Sequence, residues 1–255
     1  VKDDFESIIV CKKGEIMATE ILTDTTIQQG QHLKPLPLES GDRLTRREFE
    51  RRYEAMPNLK KAELIEGVVY MPSPVRTKNH GIPHGHILGW IWNYSAATAG
   101  TNFADNATLR LDPDNEPQPD ISLWVDEDCG GRASVSEDDY LEGSPELIVE
   151  IAASSASYDS HEKLRIYRRN SVQEYIVWRV YDRAIDWYSL QDEEYVRLTP
   201  NAEGIIESRF FAGLRLNVEA MLSGNLTKVL EDLQKGISSP EHESFVQTLA
   251  NAKKE

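Results

Sequence analysis

The run Leu147-Ile148-Val149-Glu150-Ile151-Ala152 constrains the fold of this chain more than any other feature. Its length suits a strand, and its lack of apolar/polar alternation suits one buried on both faces, as at the centre of a sheet covered by helices. One carboxylate interrupts it. Burying a lone carboxylate costs several kcal/mol unless it is paired or coordinates a cation, so Glu150 requires a basic neighbour or a metal.

The segments on either side alternate between helix and strand signals. A short helix is predicted from Leu44, with Thr45 as its cap, Glu48 in the capping-box position and Phe49 and Tyr53 on one face, ending near Pro57. Residues 64–71 read as a strand or hairpin turning at Glu66-Gly67. Residues 83–98 place Ile87, Leu88, Ile91 and Thr98 at helical spacing, with Pro83 suited to the first turn. Residues 101–111 and 121–125 read as strands, and a loop with Gly130, Gly131 and Glu137-Asp138-Asp139 leads into the central run. A helix is predicted over 159–170, capped by Asp159 with Glu162 and turning Leu164 and Tyr167 inward. Then comes a hairpin of 174–180 and 184–190 around Tyr181-Asp182-Arg183. Strand signal continues at 195–198 and Phe210-Phe211, and helical spacing runs from Leu226 to Leu233 until Gly236 and Pro240 interrupt it. This order predicts an α/β (mixed α+β) domain, a central mixed sheet flanked by helices, over residues 41–225. An extension at 1–40 precedes it and a helical appendage at 226–255 follows.

Composition bounds the class. With 40% hydrophobic residues and 5 Trp, 10 Tyr and 6 Phe in 255 residues, the chain can bury a core. No apolar run approaches the ~18–20 residues of a membrane span, and the first residues are charged, so a cytoplasmic location is expected. Cys11 and Cys129 stand in no metal-binding spacing, which argues against a zinc knuckle or a disulfide framework. A net charge of −15, from 28 Lys+Arg against 43 Asp+Glu, argues against coating nucleic acid through a broad basic surface, but not against a local basic cleft.

Two carboxylates stand at strand positions: Asp120, after Pro119 at the start of 121–125, and Glu150. Two hard oxygen ligands from adjacent strands, completed by water and a phosphate, are what magnesium or manganese requires. The chain also carries, in order, Ala62-Glu63-Leu64-Ile65-Glu66-Gly67, Met71-Pro72-Ser73-Pro74, Asn79-His80-Gly81 and Gln118-Pro119-Asp120-Ile121-Ser122. After these come Glu146 to Ile151, Tyr158-Asp159, Glu162-Lys163-Leu164, Tyr167 and Val172-Gln173-Glu174-Tyr175-Ile176-Val177. In this order and spacing they resemble the restriction-endonuclease-like proteins of the Uma group, within the PD-(D/E)XK nuclease superfamily, over residues 44–221. The resemblance implies a restriction-endonuclease-like core, Asp120 and Glu150 as ligands of magnesium or manganese, and Glu63 as a further acidic member. Where the superfamily motif has lysine, two residues beyond Glu150, this chain has Ala152. Lys163 on the following helix matches the position of a migrated replacement. A lysine in the first turn of a helix faces the unfavourable end of the macrodipole and favours an anion beside it, which Glu162 could also supply. The implied reaction is hydrolysis of DNA phosphodiester bonds, with Lys163 orienting the attacking water or neutralising charge on the phosphate. His80, just before a predicted helix, would add a polar contact or carry a proton.

Each of these residues also has a structural reading. Asp120 could be a turn or capping residue, Glu150 could ion-pair with Lys163, Arg165 or Arg168, Glu63 could be a strand-start charge, and Lys163 could be solvated. His84 falls on the helix face of Ile87 and Ile91 and reads as packing, His86 as exposed, and Trp90, Trp92, Trp178 and Trp187 as core or edge packing. Basic residues gather at Arg43, Arg46, Arg47, Arg51 and Arg52, and again at Lys163, Arg165, Arg168 and Arg169. The first group is interleaved with Glu48 and Glu50, as on a solvated helix face. Three functions compete: a magnesium-dependent endonuclease acting on DNA, a catalytically silent scaffold with the nuclease fold, and a metal-dependent hydrolase of another phosphodiester. A homodimer suits an enzyme that cuts both strands, since two-fold symmetry gives each strand a site.

Overall fold

Local signals account for the first elements. Helix α1 (Arg46–Glu54) starts after Thr45 as predicted, but the Thr45 hydroxyl makes no capping bond, and Glu48 pairs with Arg51 and Arg52 instead. Glu66 and Gly67, both at positive φ (51° and 70°), form the two-residue turn that joins β1 (Glu63–Ile65) and β2 (Val68–Tyr70) in an antiparallel hairpin. A π-helical turn, Thr77–Gly81, runs into α2 (Ile82–Ala97), with Pro83 in its first turn. The strand expected over 101–111 is divided. Its first part, β3 (Thr101–Asp105), ends where Asn106 takes φ 52° and donates its N–H to the Asp120 carbonyl (3.1 Å), and β4 (Leu109–Arg110) joins a different sheet. After β5 (Ile121–Val125), the stretch read as a loop contains a 3-10 turn, Glu127–Cys129, and two short strands, β6 (Ala133–Val135) and β7 (Leu141–Gly143). These pair with each other and with β4; only Ala133 and Leu141 of β6 and β7 are buried, too little apolar pattern to read as strand.

The central run is β8 (Leu147–Ala152), buried along its whole length. The structure, a computed structural model, describes residues 34–71, 75–152 and 162–253. Cys11, Pro72-Ser73-Pro74, Tyr158 and the expected cap Asp159 lie outside them. Within them, α3 (Leu164–Arg169) buries Ile166 and Tyr167, and β9 (Glu174–Arg179), β10 (Ala184–Gln191) and β11 (Glu194–Arg197) follow as predicted. Phe210 and Phe211 form no strand. They occupy the turn between β12 (Ile205–Glu207) and β13 (Arg215–Asn217), where Phe211 packs edge-on against Tyr94 and Phe245, so their apolar character reflects burial rather than pleat. The chain closes with α4 (Val218–Ser223), α5 (Leu226–Ile237) and α6 (Pro240–Ala252). Gly236 does not stop α5, and Pro240 starts a helix instead of ending one.

The main sheet has the order β11-β10-β9-β8-β5-β3, with β8 parallel to β9 and antiparallel to β5. Side chains alternate across a strand, so β8 faces two layers. Leu147, Val149 and Ile151 join Ile121, Leu123, Ile176 and Trp178 in one apolar cluster, closed by Trp90, Ile91 and Tyr94 of α2 and by Met221, Val229, Leu233 and Leu249 of α4 to α6. Residues 226–252, expected as an appendage, therefore contribute to that cluster. Ile148 and Ala152 point the other way and pack with Tyr175, Val177, Ile166 and Tyr167. Each fully buried aliphatic side chain contributes about 1.5–3 kcal/mol. Glu150 lies on this second face, aimed at α3.

The break in the helix signal at Gly236 has a packing cause. A Cβ there would lie 2.1 Å from the Gly213 carbonyl oxygen, so α5 rests backbone to backbone on the β12–β13 turn. Helix propensity alone favours Ala over Gly by about 1 kcal/mol. Gly236→Ala is expected to reverse that sign and destabilise by about 1–3 kcal/mol through overpacking, read as a lower urea midpoint at unchanged m-value.

Candidate active site

At one end of β8 the sheet register gathers the charges. Ile121 of β5 stands opposite Val149, and the same register carried one residue further sets Asp120 opposite Glu150. Asp120 Oδ2 accepts the Ile151 N–H (2.7 Å), which ties the start of β5 to the end of β8. Glu63, in β1, accepts the Gln118 N–H on Oε1 (2.8 Å), so the Gln118-Pro119-Asp120 segment is held from both sides. Helix α3 supplies the cation. Lys163, at its N-cap position and 2% exposed, places Nζ 2.8 Å from Glu150 Oε1 and 3.0 Å from Glu63 Oε1.

Of the three bases open to Glu150, Lys163 is its partner; Arg165 is exposed and Arg168 pairs with Glu194. Lys163 is therefore not a solvated helix residue, and Glu63 is more than an exposed strand-start charge. Glu162 accepts from the Tyr70 hydroxyl (3.2 Å). Four residues beyond Lys163, Tyr167 donates its hydroxyl to the same Glu150 Oε1 (2.9 Å). Burial, followed by the Glu150 charge, pushes its pKa well up, so it remains a donor. The helical spacing of Lys163 and Tyr167 was the available signal for this contact, but an inward tyrosine reads first as packing, which Tyr167 also does against Tyr175.

His80 and His84 approach Asp120 from the start of α2, their rings stacked with centroids 5.6 Å apart. His80 Nε2 lies 3.3 Å from Asp120 Oδ1. His84, read from sequence as a packing residue, has Nε2 3.0 Å from Asp105 Oδ1 and 3.3 Å from the Asp120 carbonyl oxygen. Its i, i+4 spacing from His80 was the only sequence sign. Burial pushes the Asp120 carboxyl up, but the His80 contact, the Lys61 charge and the Ile151 N–H outweigh it and the group ends below the usual carboxylate range. The Asp120 hydrogen bond raises His80 against the opposing effect of burial.

Glu63, Asp120 and Glu150 bring three buried carboxylates; Lys163 contacts Glu63 and Glu150, and His80 contacts Asp120. Lys61, whose ammonium donates to the Gln118 carbonyl, and a protonated His80 add positive charge on the Asp120 side. A divalent cation suits hard carboxylate oxygens on adjacent strands, with water and a phosphate completing its shell. Among the described residues, a group of three potential ligands with atoms within 4.8 Å of one another occurs elsewhere, at Asp126, Asp128 and Cys129. That group is occupied by donors: Asn102 bonds Asp126, while Lys253 and the Cys129 thiol, its pKa raised by burial, both engage Asp128.

A mixed sheet flanked by helices, with carboxylates on an adjacent strand pair and a lysine delivered by the next helix, defines a restriction-endonuclease-like α/β protein. The sequence matches the Uma2 family, described as "putative restriction endonuclease", over residues 46–219, and the chain belongs to that family. The crystal structure of "a putative nuclease belonging to DUF820" from Anabaena variabilis aligns with a TM-score of 0.52 at 15% identity, covering 64% of this chain and 89% of that one. At that identity the likeness is one of fold. No curated protein matches the chain. No helix among the described residues is long and apolar enough to cross a membrane.

Two outcomes follow from the geometry. Lys163→Met leaves Glu63 and Glu150 buried without their ammonium and is expected to cost about 3–5 kcal/mol in urea unfolding at neutral pH. The His80 ring should titrate above an ordinary histidine by NMR, and Asp120→Asn should bring it down. Because its folded pKa is raised, the His80–Asp120 pair stabilises fully at mildly acidic pH, and that contribution fades as pH rises through the raised pKa.

Proposed function

We propose that the protein is a metal-dependent endonuclease that hydrolyses DNA phosphodiester bonds at the Asp120–Glu150 site. The observation that carries this reading is the convergence of three buried carboxylates where β5 and β8 end together, Asp120 beside His80 and both Glu63 and Glu150 on Lys163. Asp120 and Glu150 are the residues that would hold magnesium or manganese, whose chemistry is to polarise the scissile phosphate and acidify a bound water.

The chain's own groups do the rest. Tyr167 and Lys163 fix the orientation of Glu150 through Oε1, and the Ile151 N–H fixes Asp120 through Oδ2. Lys163 is the cation placed to neutralise charge developing on the phosphate oxygens, and Glu63 helps hold it at the site. His80, kept protonated to higher pH by Asp120, is a donor toward a phosphate oxygen or the departing alkoxide.

A second reading is favoured by the same contacts. Glu150 Oε1 already receives Lys163 and Tyr167, an arrangement that is satisfied as a structural ion pair, and a silent scaffold with the nuclease fold would need nothing more.

Plasmid cleavage separates the two. The full chain is expected to nick supercoiled DNA with magnesium or manganese and to stop in EDTA, and Asp120→Asn and Glu150→Gln are expected to lose about 100-fold or more in rate while retaining the wild-type circular dichroism spectrum. A folded wild type that cuts nothing with either metal would replace the nuclease reading with the scaffold.

A further inference from the structure

Beside the acidic site, the surface changes sign. A cavity of about 300 Å³ opens between the start of α2 and the β9–β10 turn, with Lys78, His86 and Arg183 at its rim and Ile82, Trp178 and Met221 in its walls. Among its described lining residues none is acidic, in a chain of net charge −15. Most arginines around the sheet are neutralised: Arg110, Arg168, Arg179 and Arg215 each pair with carboxylates. Lys78 and Arg183 are exposed, His86, expected to be exposed, is half-buried, and none of the three has an ion-pair partner among the described residues.

The two walls are joined, since Asn79 Nδ2 donates to the Tyr181 hydroxyl (2.9 Å), linking the π-helical turn to the hairpin turn. The position relative to the carboxylates also follows from topology. Ile151 stands beside Trp178 in the parallel β8–β9 register, so the cavity and Glu150 lie at the same end of the sheet on opposite faces. Lys78 precedes His80 by two residues, a span of at most about 7 Å of backbone. Lys78 is therefore within reach of a strand that presents a phosphodiester to Asp120, which His80 touches.

We infer that this cavity takes one unstacked nucleotide of the substrate strand, its phosphate held by Lys78 and Arg183 and its base against the Ile82, Trp178 and Met221 walls. The inference rests on the nuclease reading and adds the substrate class: single-stranded or locally opened DNA. A base inside a duplex cannot enter a pocket without leaving the stack, at a cost of a few kcal/mol that a single strand does not bear. An apolar wall with a cationic rim is the arrangement by which proteins hold single strands, through the base face and the backbone together.

The test is binding without cleavage. Fluorescence anisotropy of a labelled oligothymidylate, titrated with full-length protein in EDTA at several salt concentrations, gives both affinity and the number of phosphates neutralised. The expected result is that the single strand binds more tightly than a duplex of equal length. The double variant Lys78→Ala/Arg183→Ala should bind it about tenfold or more weakly, with the slope of log K against log salt reduced by about 0.7, the value for one phosphate that no longer meets a cation. Both residues are exposed, so the variant should keep the wild-type spectrum and melting temperature. Duplex binding as tight as single-strand binding, or an unchanged slope in the double variant, overturns the inference. Plasmid cleavage distinguishes the failures: a wild type that cuts but whose binding ignores Lys78 and Arg183 removes the cavity alone, whereas one that neither cuts nor binds removes the nuclease reading as well.

Discussion

The buried ammonium of Lys163 is the interaction on which the arrangement of this end of the molecule depends. It lies within hydrogen-bond distance of carboxylates from β1 and β8 while belonging to α3, so three elements distant in sequence meet at one atom. An ion pair taken out of water is weak as a source of stability, because desolvation of both partners offsets most of the Coulomb gain. Its effect is on geometry. Removing one partner strands the others, so the cluster admits few alternatives in the packing of the hairpin, the central strand and the helix, and the second contact to Glu150 from Tyr167 narrows them further.

The carboxylates at this end of the sheet are held in two different ways. Glu63 and Glu150 share Lys163, whereas Asp120 is held by a backbone N–H, His80 and the more distant Lys61 charge. In the proposed reading, Asp120 and Glu150 present their oxygens from this strand pair to a hard cation. Sequence position 152 shows how the lysine comes to be delivered by a helix. Ala152 is 1% exposed and packs with Ile166 and Tyr167, so a long cationic side chain there would displace the helix that closes this face. With alanine at that point α3 can approach the sheet, and its own Lys163 reaches Glu150 across the gap. Packing and charge placement are thus two consequences of one small residue.

Much of this was legible in the sequence because it is local. The apolar run around Glu150, the Glu66-Gly67 turn and the hairpin at Tyr181-Asp182-Arg183 are written in periodicity and turn chemistry, and the structure has them where the residues put them. Glu150's need for a partner was equally legible, from the cost of a buried charge. Which base would answer was not, since Lys163, Arg165 and Arg168 differ only in the rotational phase of one helix, and that phase is set by how Ile166 and Tyr167 pack. Glu63 was named as a further acidic member through the resemblance, but its contacts were hidden for a longer-range reason: its hydrogen bonds reach Gln118 and Lys163, far along the chain. The division at Asn106 was missed because a positive φ at a non-glycine residue has no strong signature, yet it is this turn, bonded to the Asp120 carbonyl, that leaves Asp105 facing His84.

In the proposed nuclease reading, the acidic balance of the chain and a polyanionic substrate are reconciled by where positive charges lie without ion-pair partners among the described residues. At physiological ionic strength the Debye length is about 8 Å, so a strand near the surface responds to charges within a few residues of it and little to the total. Along α1, Arg46, Arg51 and Arg52 are matched by Glu50, Glu48 and Asp42, and Arg110 is matched by Glu50, Asp138 and Glu142. Among the described residues Lys78, His86 and Arg183 have no ion-pair partner, and they lie at the end of the sheet where Asp120 and Glu150 sit. In the proposed reading, an acidic surface disfavours extended nonspecific contact with duplex DNA while this cationic cleft draws a strand to the end of the sheet that carries the carboxylates.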